Sequence, residues 1–132
     1  MEIMPKRLKN RVELTPCESE VMDIVWEKQN VTVNDVVASI SRDLAYTTVL
    51  TTMRILEEKQ VVKRGPKHGR AFTYTANVSR EQVREGMLRS LIDQLFGGSA
   101  RSVVLSLIKT DSVTLDEIEA AKKIAASLEE QE

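Results

Sequence analysis

"AYTTVLTTMRILEEKQVVKRGPKHGRAFTYT", Ala45–Thr75, is the stretch on which the fold turns. Its first half has helical periodicity: at about 100° per residue Tyr46, Val49, Leu50, Met53 and Leu56 fall on one arc, which is expected to face the core. Thr47, Thr48, Thr51 and Thr52 fall on the opposite arc, with Arg54 at its border and Glu58 nearby. Threonine inside a helix loses side-chain freedom and is less favourable there than alanine. Four of them in six residues oppose the helix, so a hydroxyl face at this position points to a task outside the fold. The second half alternates around Gly65-Pro66 and Gly69, with Phe72 and Tyr74 in the returning run, which predicts a β-hairpin. Gly65 to Arg70 are expected to form its loop and to hang a basic tip beyond the sheet.

Upstream, two shorter helices are announced by a Ser/Thr cap with an acid three residues on: Thr15/Glu18 and Thr32/Asp35. Pro16 suits the first helical position, where its missing N–H would have had no partner. The first helix is expected from Pro16 to Lys28, with Val21, Met22, Ile24, Val25 and Trp26 inward, and the second from Val33 to Ser41, with Val33, Val36, Val37 and Ile40 inward. Three helices followed by a hairpin make a winged helix-turn-helix. The fold class is therefore mainly α with a small β-hairpin wing.

Downstream, Ser79/Gln82 and Thr114/Glu117 repeat the capping device. The first opens a helix carrying Val83, Met87, Leu88, Leu91, Ile92, Leu95 and Phe96, stopped by "GGS" at Gly97–Ser99. A short apolar helix, "ARSVVLSLIK", carries Val103, Val104, Leu107 and Ile108. The last is amphipathic, with Ile118, Ala121, Ile124, Ala125 and Leu128 on its inward face. Three short helices cannot enclose a core of their own, so this region calls for a partner, most simply a second copy of the chain. The domain break is placed near Ala76 to Val78: residues 1–77 as a winged-helix domain and 78–132 as a helical dimerisation domain.

With 132 residues, 42% hydrophobic and 30% charged, the chain has the composition of a folded soluble protein. No apolar run approaches the ~20 residues of a membrane span, and the first residues lack the apolar core of a secretory signal, so no membrane insertion and a cytoplasmic location are expected. The single cysteine, Cys17, excludes an internal disulfide and any multi-cysteine metal site. It is expected as a small half-buried side chain, although the helix start would favour its thiolate and make redox control a rival reading. One histidine, His68, without a second ligand near it in sequence, and no phosphate loop or nucleophile set leave neither a metal site nor an enzyme to expect, and no cofactor.

Net charge is −1, but its distribution is uneven. Residues 59–70 contain Lys59, Lys63, Arg64, Lys67 and Arg70 and no acid. A hydroxyl-lined helix followed by a basic hairpin is the pattern of a major-groove helix and a backbone-gripping wing on double-stranded DNA. Hydroxyls bond phosphates or base edges, and the threonine methyl meets the thymine methyl. Candidate DNA contacts are Tyr46, Thr47, Thr48, Thr51, Thr52, Arg54, Lys63, Arg64, Lys67 and Arg70. Arg7, Lys9 and Arg11 are assigned to the terminus and not to a DNA-contacting arm. Candidate dimer residues are Leu88, Leu91, Leu95, Val103, Val104, Leu107, Ile108, Ile118 and Ile124. The rival from another class is a winged-helix module that binds protein and no DNA; Glu57, Glu58 and an outward Ile55 lean its way.

"LTPCESEVMDIVW", "LAYTTVLTTMRILEEKQVVKRGPKHGRAFTYTANVSREQV", "GGSARSVVLSLIK" and "LDEIEAAKKI", in that order over Leu14–Ile124, resemble the penicillinase-repressor family, which includes the β-lactamase and methicillin-resistance repressors. The resemblance implies a homodimeric winged-helix repressor that binds palindromic operators with TACA/TGTA half-sites. For the antibiotic-responsive members it implies release by cleavage when a membrane-bound zinc-protease sensor is activated. Thr48 and Thr51 stand where the family's recognition helix also carries threonine. Thr47 replaces a commonly basic residue, and Leu50 a commonly basic or variable one. Gln60 stands in place of the family's glycine, where a left-handed helix cap is expected. Ser106-Leu107 stands at the family's scissile Asn-Phe bond. The cysteine pair of the copper-responsive relatives has no counterpart here.

Overall fold

Glu18 and Thr15 begin the first helix as a reciprocal pair. Thr15 Oγ1 accepts the Glu18 N–H at 3.2 Å, and the Glu18 carboxylate accepts the Thr15 N–H at 2.8 Å. The computed structural model describes residues 12–130, and the same arrangement forms at Thr32/Asp35, Ser79/Gln82 and Thr114/Glu117. All four expected capping boxes are present, each supplying partners for donors that a helix start leaves unpaired. They open α1 (Pro16–Lys28), α2 (Val33–Ser39), α4 (Arg80–Leu95) and α6 (Leu115–Glu130). Between them lie α3 (Tyr46–Glu58), the strands β1 (Val62–His68) and β2 (Ala71–Ala76), and α5 (Ala100–Lys109), capped by Ser99. α2 ends two residues earlier than expected, because Ile40 has already turned to an extended conformation.

α3 ends as the resemblance implies. Gln60 takes a left-handed φ of 64°, its N–H donates to Glu57 O, and Val61 N–H donates to Leu56 O at 2.9 Å. These two bonds are a Schellman closure, usually built on glycine. Asn77 Nδ2 fixes the turn from outside by donating to Gln60 O at 3.0 Å.

β1 and β2 pair antiparallel, but the hairpin differs from the expected loop. The strand continues through Gly65-Pro66 to His68, and only Gly69 and Arg70 make the turn. The register slips between Arg64 and Lys67, where Pro66, which has no N–H, interrupts the ladder. Thr73 Oγ1 closes the irregularity by donating to Pro66 O at 2.7 Å, and a Cβ at Gly65 would lie 3.0 Å from that hydroxyl oxygen. Gly69 supplies the positive φ of the turn, +67°. On the far side of β2, Val31 exchanges both backbone bonds with Tyr74, at 2.7 and 3.0 Å, and ties the α1–α2 connection to the wing.

The core is built from Val21, Met22 and Val25 of α1, Val33 and Val36 of α2, Val49, Met53 and Leu56 of α3, and Val31, Val61, Val62 and Tyr74 around the hairpin. Each such side chain contributes about 1.5–3 kcal/mol by leaving water. Trp26 packs against this cluster and donates its indole N–H to Val78 O at 3.0 Å.

The chain divides into two compact units, Met1–Leu88 and Arg89–Glu132. Of the described residues of the second unit, Ile92 alone is a buried hydrophobic side chain. Leu91, Leu95, Val104, Leu105, Leu107, Leu115, Ile124 and Leu128 are exposed. Ile124 and Leu128, expected to face inward, therefore lie open in the single chain, because so short a helical unit has too little of its own surface to cover them. No single helix among the described residues is long and apolar enough to cross a membrane.

Candidate nucleic-acid interface

α3 buries Val49, Thr52, Met53 and Leu56. That arc is rotated by roughly 45° from the one its apolar residues predict. Tyr46, expected on the core face, is 45% exposed at the first turn, and Leu50 is half-buried. The face opposite the core carries Thr47, Thr51, Arg54 and Glu58, with Thr48 at one flank, all exposed.

Thr52 does not point outward as the helical wheel predicts. It is 7% exposed, donates its hydroxyl proton to Thr48 O at 2.9 Å, and lies with Oγ1 3.8 Å from Cys17 Sγ of α1. Threonine can satisfy its one polar group on its own helix, so its methyl enters the core without an unpaired donor. Thr51 makes the equivalent bond to Thr47 O, 2.9 Å, from the exposed face. Among the described residues the hydroxyls of Thr47 and Thr48 have no hydrogen-bond partner.

On the wing, Lys63, Arg64, Lys67, His68 and Arg70 are all exposed. Their organiser is Phe72, which the sequence offers only as a strand residue. The Arg64 guanidinium carbon lies 4.4 Å and Lys67 Nζ 5.0 Å from its ring centroid, so two cations rest on one aromatic ring. The pairing of Lys67 with Phe72 follows from the bulged register, which composition alone does not reveal. Arg64 is partly neutralised by Glu57 at 3.5 Å; among the described residues Lys63, Lys67 and Arg70 have no ion-pair partner.

Between the start of α3 and the hairpin runs a groove of about 220 Å³. It brings Tyr46, Leu50 and Arg54 of α3 together with Arg70, Phe72 and Tyr74 of the wing region. Burial and the nearby Glu57 charge raise the Tyr74 phenol pKa above its ordinary value, so it stays neutral and the two arginines set the sign of the groove. Arg54 and Arg70 stand out separately in the sequence; nothing there shows that they line one groove.

The candidate self-association residues occupy the three C-terminal helices. Leu88, Leu91, Leu95, Val104, Leu107 and Ile124 are exposed, and Val103, Ile108 and Ile118 are half-buried. Ser106 is half-buried beside Leu107 within α5. Arg7, Lys9 and Arg11 lie outside the described residues.

A family model described as penicillinase repressor matches residues 14–127. The chain is similar to the penicillinase repressor of Staphylococcus aureus, 28% identical over 116 residues that span 86% of this chain and 91% of that protein. It is also similar to the methicillin resistance regulatory protein MecI of Mammaliicoccus sciuri, 27% identical over 114 residues, 85% of this chain and 92% of that one. Among solved structures it shares its fold with a mutant MarR from E. coli complexed with operator DNA, at 16% identity and a TM-score of 0.51, over 92% of this chain and 83% of that one.

Proposed function

The chain belongs to the penicillinase-repressor family, a family of transcriptional repressors and not of enzymes, and from that premise we propose that it is a homodimeric repressor of transcription that binds a palindromic operator in double-stranded DNA. Residues 1–77 bind the DNA and 78–132 hold the dimer together. α3 enters the major groove with Thr47, Thr48 and Thr51 toward the base edges, while Lys63, Lys67 and Arg70 grip phosphates beside it. The observation that carries this reading is the shared groove. α3, through Tyr46, Leu50 and Arg54, and the wing, through Arg70 and Phe72, meet there, and each contributes an arginine, Arg54 and Arg70.

The exposed leucines of α4 and α5 and the apolar side chains of α6 support self-association, since together they form more open apolar surface than a stable monomer ordinarily carries. Two-fold symmetry then requires a two-fold operator, with half-sites about one helical turn apart. The repressor acts in the cytoplasm, and cleavage at Ser106-Leu107 by a membrane-bound zinc-protease sensor is the release step that fits family membership.

Selection of bound duplexes from a random-sequence library, with sedimentation of the free protein, tests this. Inverted-repeat sequences and a dimer are expected. Enrichment of nothing, or of a site without two-fold symmetry bound by a monomer, would refute the reading.

A further inference from the structure

Two threonines of α3 have already committed their hydroxyl protons. Thr51 Oγ1 donates to Thr47 O and Thr52 Oγ1 to Thr48 O, each at 2.9 Å. Thr52 is buried, but Thr51 is exposed on the outer face. A hydroxyl has one proton to give. Folding it back on the carbonyl four residues earlier turns the oxygen toward the helix and leaves the methyl, the other branch at Cβ, as the group Thr51 carries outward. Thr47 and Thr48, whose hydroxyls are free among the described residues, keep donors to offer.

We infer that Thr51 determines sequence specificity through its methyl group, which packs against the C5-methyl of a thymine, and not through a donated hydrogen bond. Thymine alone carries a methyl in the major groove, so such a contact selects one base of four. Thr47 and Thr48, on the same exposed side of α3, supply the hydrogen bonds to acceptors that a methyl cannot make. This rests on the proposal that the outer face of α3 meets DNA, and it adds which chemistry each threonine brings.

Two variants separate the branches of the side chain. Thr51→Val keeps a methyl and loses the hydroxyl; Thr51→Ser keeps the hydroxyl and loses the methyl. Both leave the core untouched, because the residue is exposed. The probe is the tightest-binding duplex from a random-sequence library, tested as selected and with each thymine in turn replaced by deoxyuridine, which removes the C5-methyl alone. Thr51→Val is expected within about twofold of the unmodified protein, and Thr51→Ser about fourfold weaker per half-site, the effect of one methyl. One thymine per half-site should show a similar loss on replacement, and that loss should vanish in Thr51→Ser.

The inference is overturned if Thr51→Val loses as much affinity as Thr51→Ser, which would put the hydroxyl oxygen on a base edge. It is equally overturned if no thymine becomes silent in Thr51→Ser. Thr47→Ala and Arg54→Ala in the same assay tell this failure from the larger one. A loss in either, without the Thr51 coupling, removes only the methyl contact; unchanged affinity in both removes the α3 face from DNA altogether.

Discussion

Lys59 Nζ lies 2.8 Å from Glu18 Oε1 and joins the C-terminal cap of α3 to the first turn of α1. The same carboxylate oxygen accepts the Thr15 N–H, and the same ammonium donates to Glu13 O at 3.1 Å. Glu18 is 4% exposed. Burial opposes its charge, but the Lys59 hydrogen bond and the Thr15 N–H outweigh that penalty, and its pKa lies below the ordinary carboxylate value. Although Lys59 heads the basic run of the sequence, it belongs to the joint between helices and not to the wing.

A carboxyl group whose pKa is depressed by folding adds stability above its unfolded pKa, about 4.3, and that stability is lost as pH falls through the folded value. Glu18→Gln keeps the capping acceptor and removes the charge. It should lower stability at pH 7 by about 1–3 kcal/mol and flatten the decline of stability below about pH 4.5. Urea unfolding of both proteins from pH 7 to pH 3 provides the comparison, and parallel curves would show that the carboxylate charge contributes nothing.

Gln60 occupies a left-handed conformation that a side chain tolerates at a cost of about 1–2 kcal/mol. Gln60→Gly relieves that strain but adds freedom to the unfolded chain, worth about 0.5–1 kcal/mol the other way. A net gain of up to about 1.5 kcal/mol is expected in chemical denaturation. A loss of stability would mean that the Gln60 side chain holds something beyond its turn.

Lys67 and Arg70 carry charges with no ion-pair partner among the described residues. Neutralising both with glutamine should reduce the slope of log affinity against log salt by about 0.9 for each phosphate no longer gripped. An unaltered slope would leave these cations as solvated decoration of the hairpin. Phe72→Leu should produce a smaller decrease in affinity, since it removes the ring that orders Arg64 and Lys67 without removing charge.

Leu95 and Ile124 are 66% and 63% exposed. A charge at either costs little in a lone chain and much in an apolar interface. Leu95→Glu and Ile124→Glu, combined, should shift sedimentation from dimer to monomer while the helical circular dichroism is largely retained. A persisting dimer would place the interface elsewhere.

The helix starts were legible in the sequence because a capping box is a local device: Thr15 and Glu18 need only each other. So too was the stop at Gly97 and Gly98, both at positive φ, whereas the left-handed Gln60 was expected only from the family's glycine at that place and not from its own residue type. Thr52 was not, since its burial depends on a carbonyl of its own helix and on α1 lying across it, neither of which polarity encodes. The hairpin was expected and its bulge was not: Gly-Pro signals a loop as readily as an interrupted strand, and only the Thr73 bond to Pro66 O decides. The meeting of Arg54 with Arg70 depends on tertiary packing, which no spacing displays.

With Val31 bonded to Tyr74 on one side of the hairpin, β2 has neighbours on both flanks, and the long open edge among the described residues is that of β1. An open strand edge is an invitation to another chain's strand. Here that invitation is withdrawn: Pro66 offers no N–H, the slipped register bends the edge, and Lys63, Arg64 and Lys67 would meet their own kind on an approaching copy. The edge of β1 is therefore blunted by its own sequence, through the proline that breaks the ladder and the cations that repel a second edge.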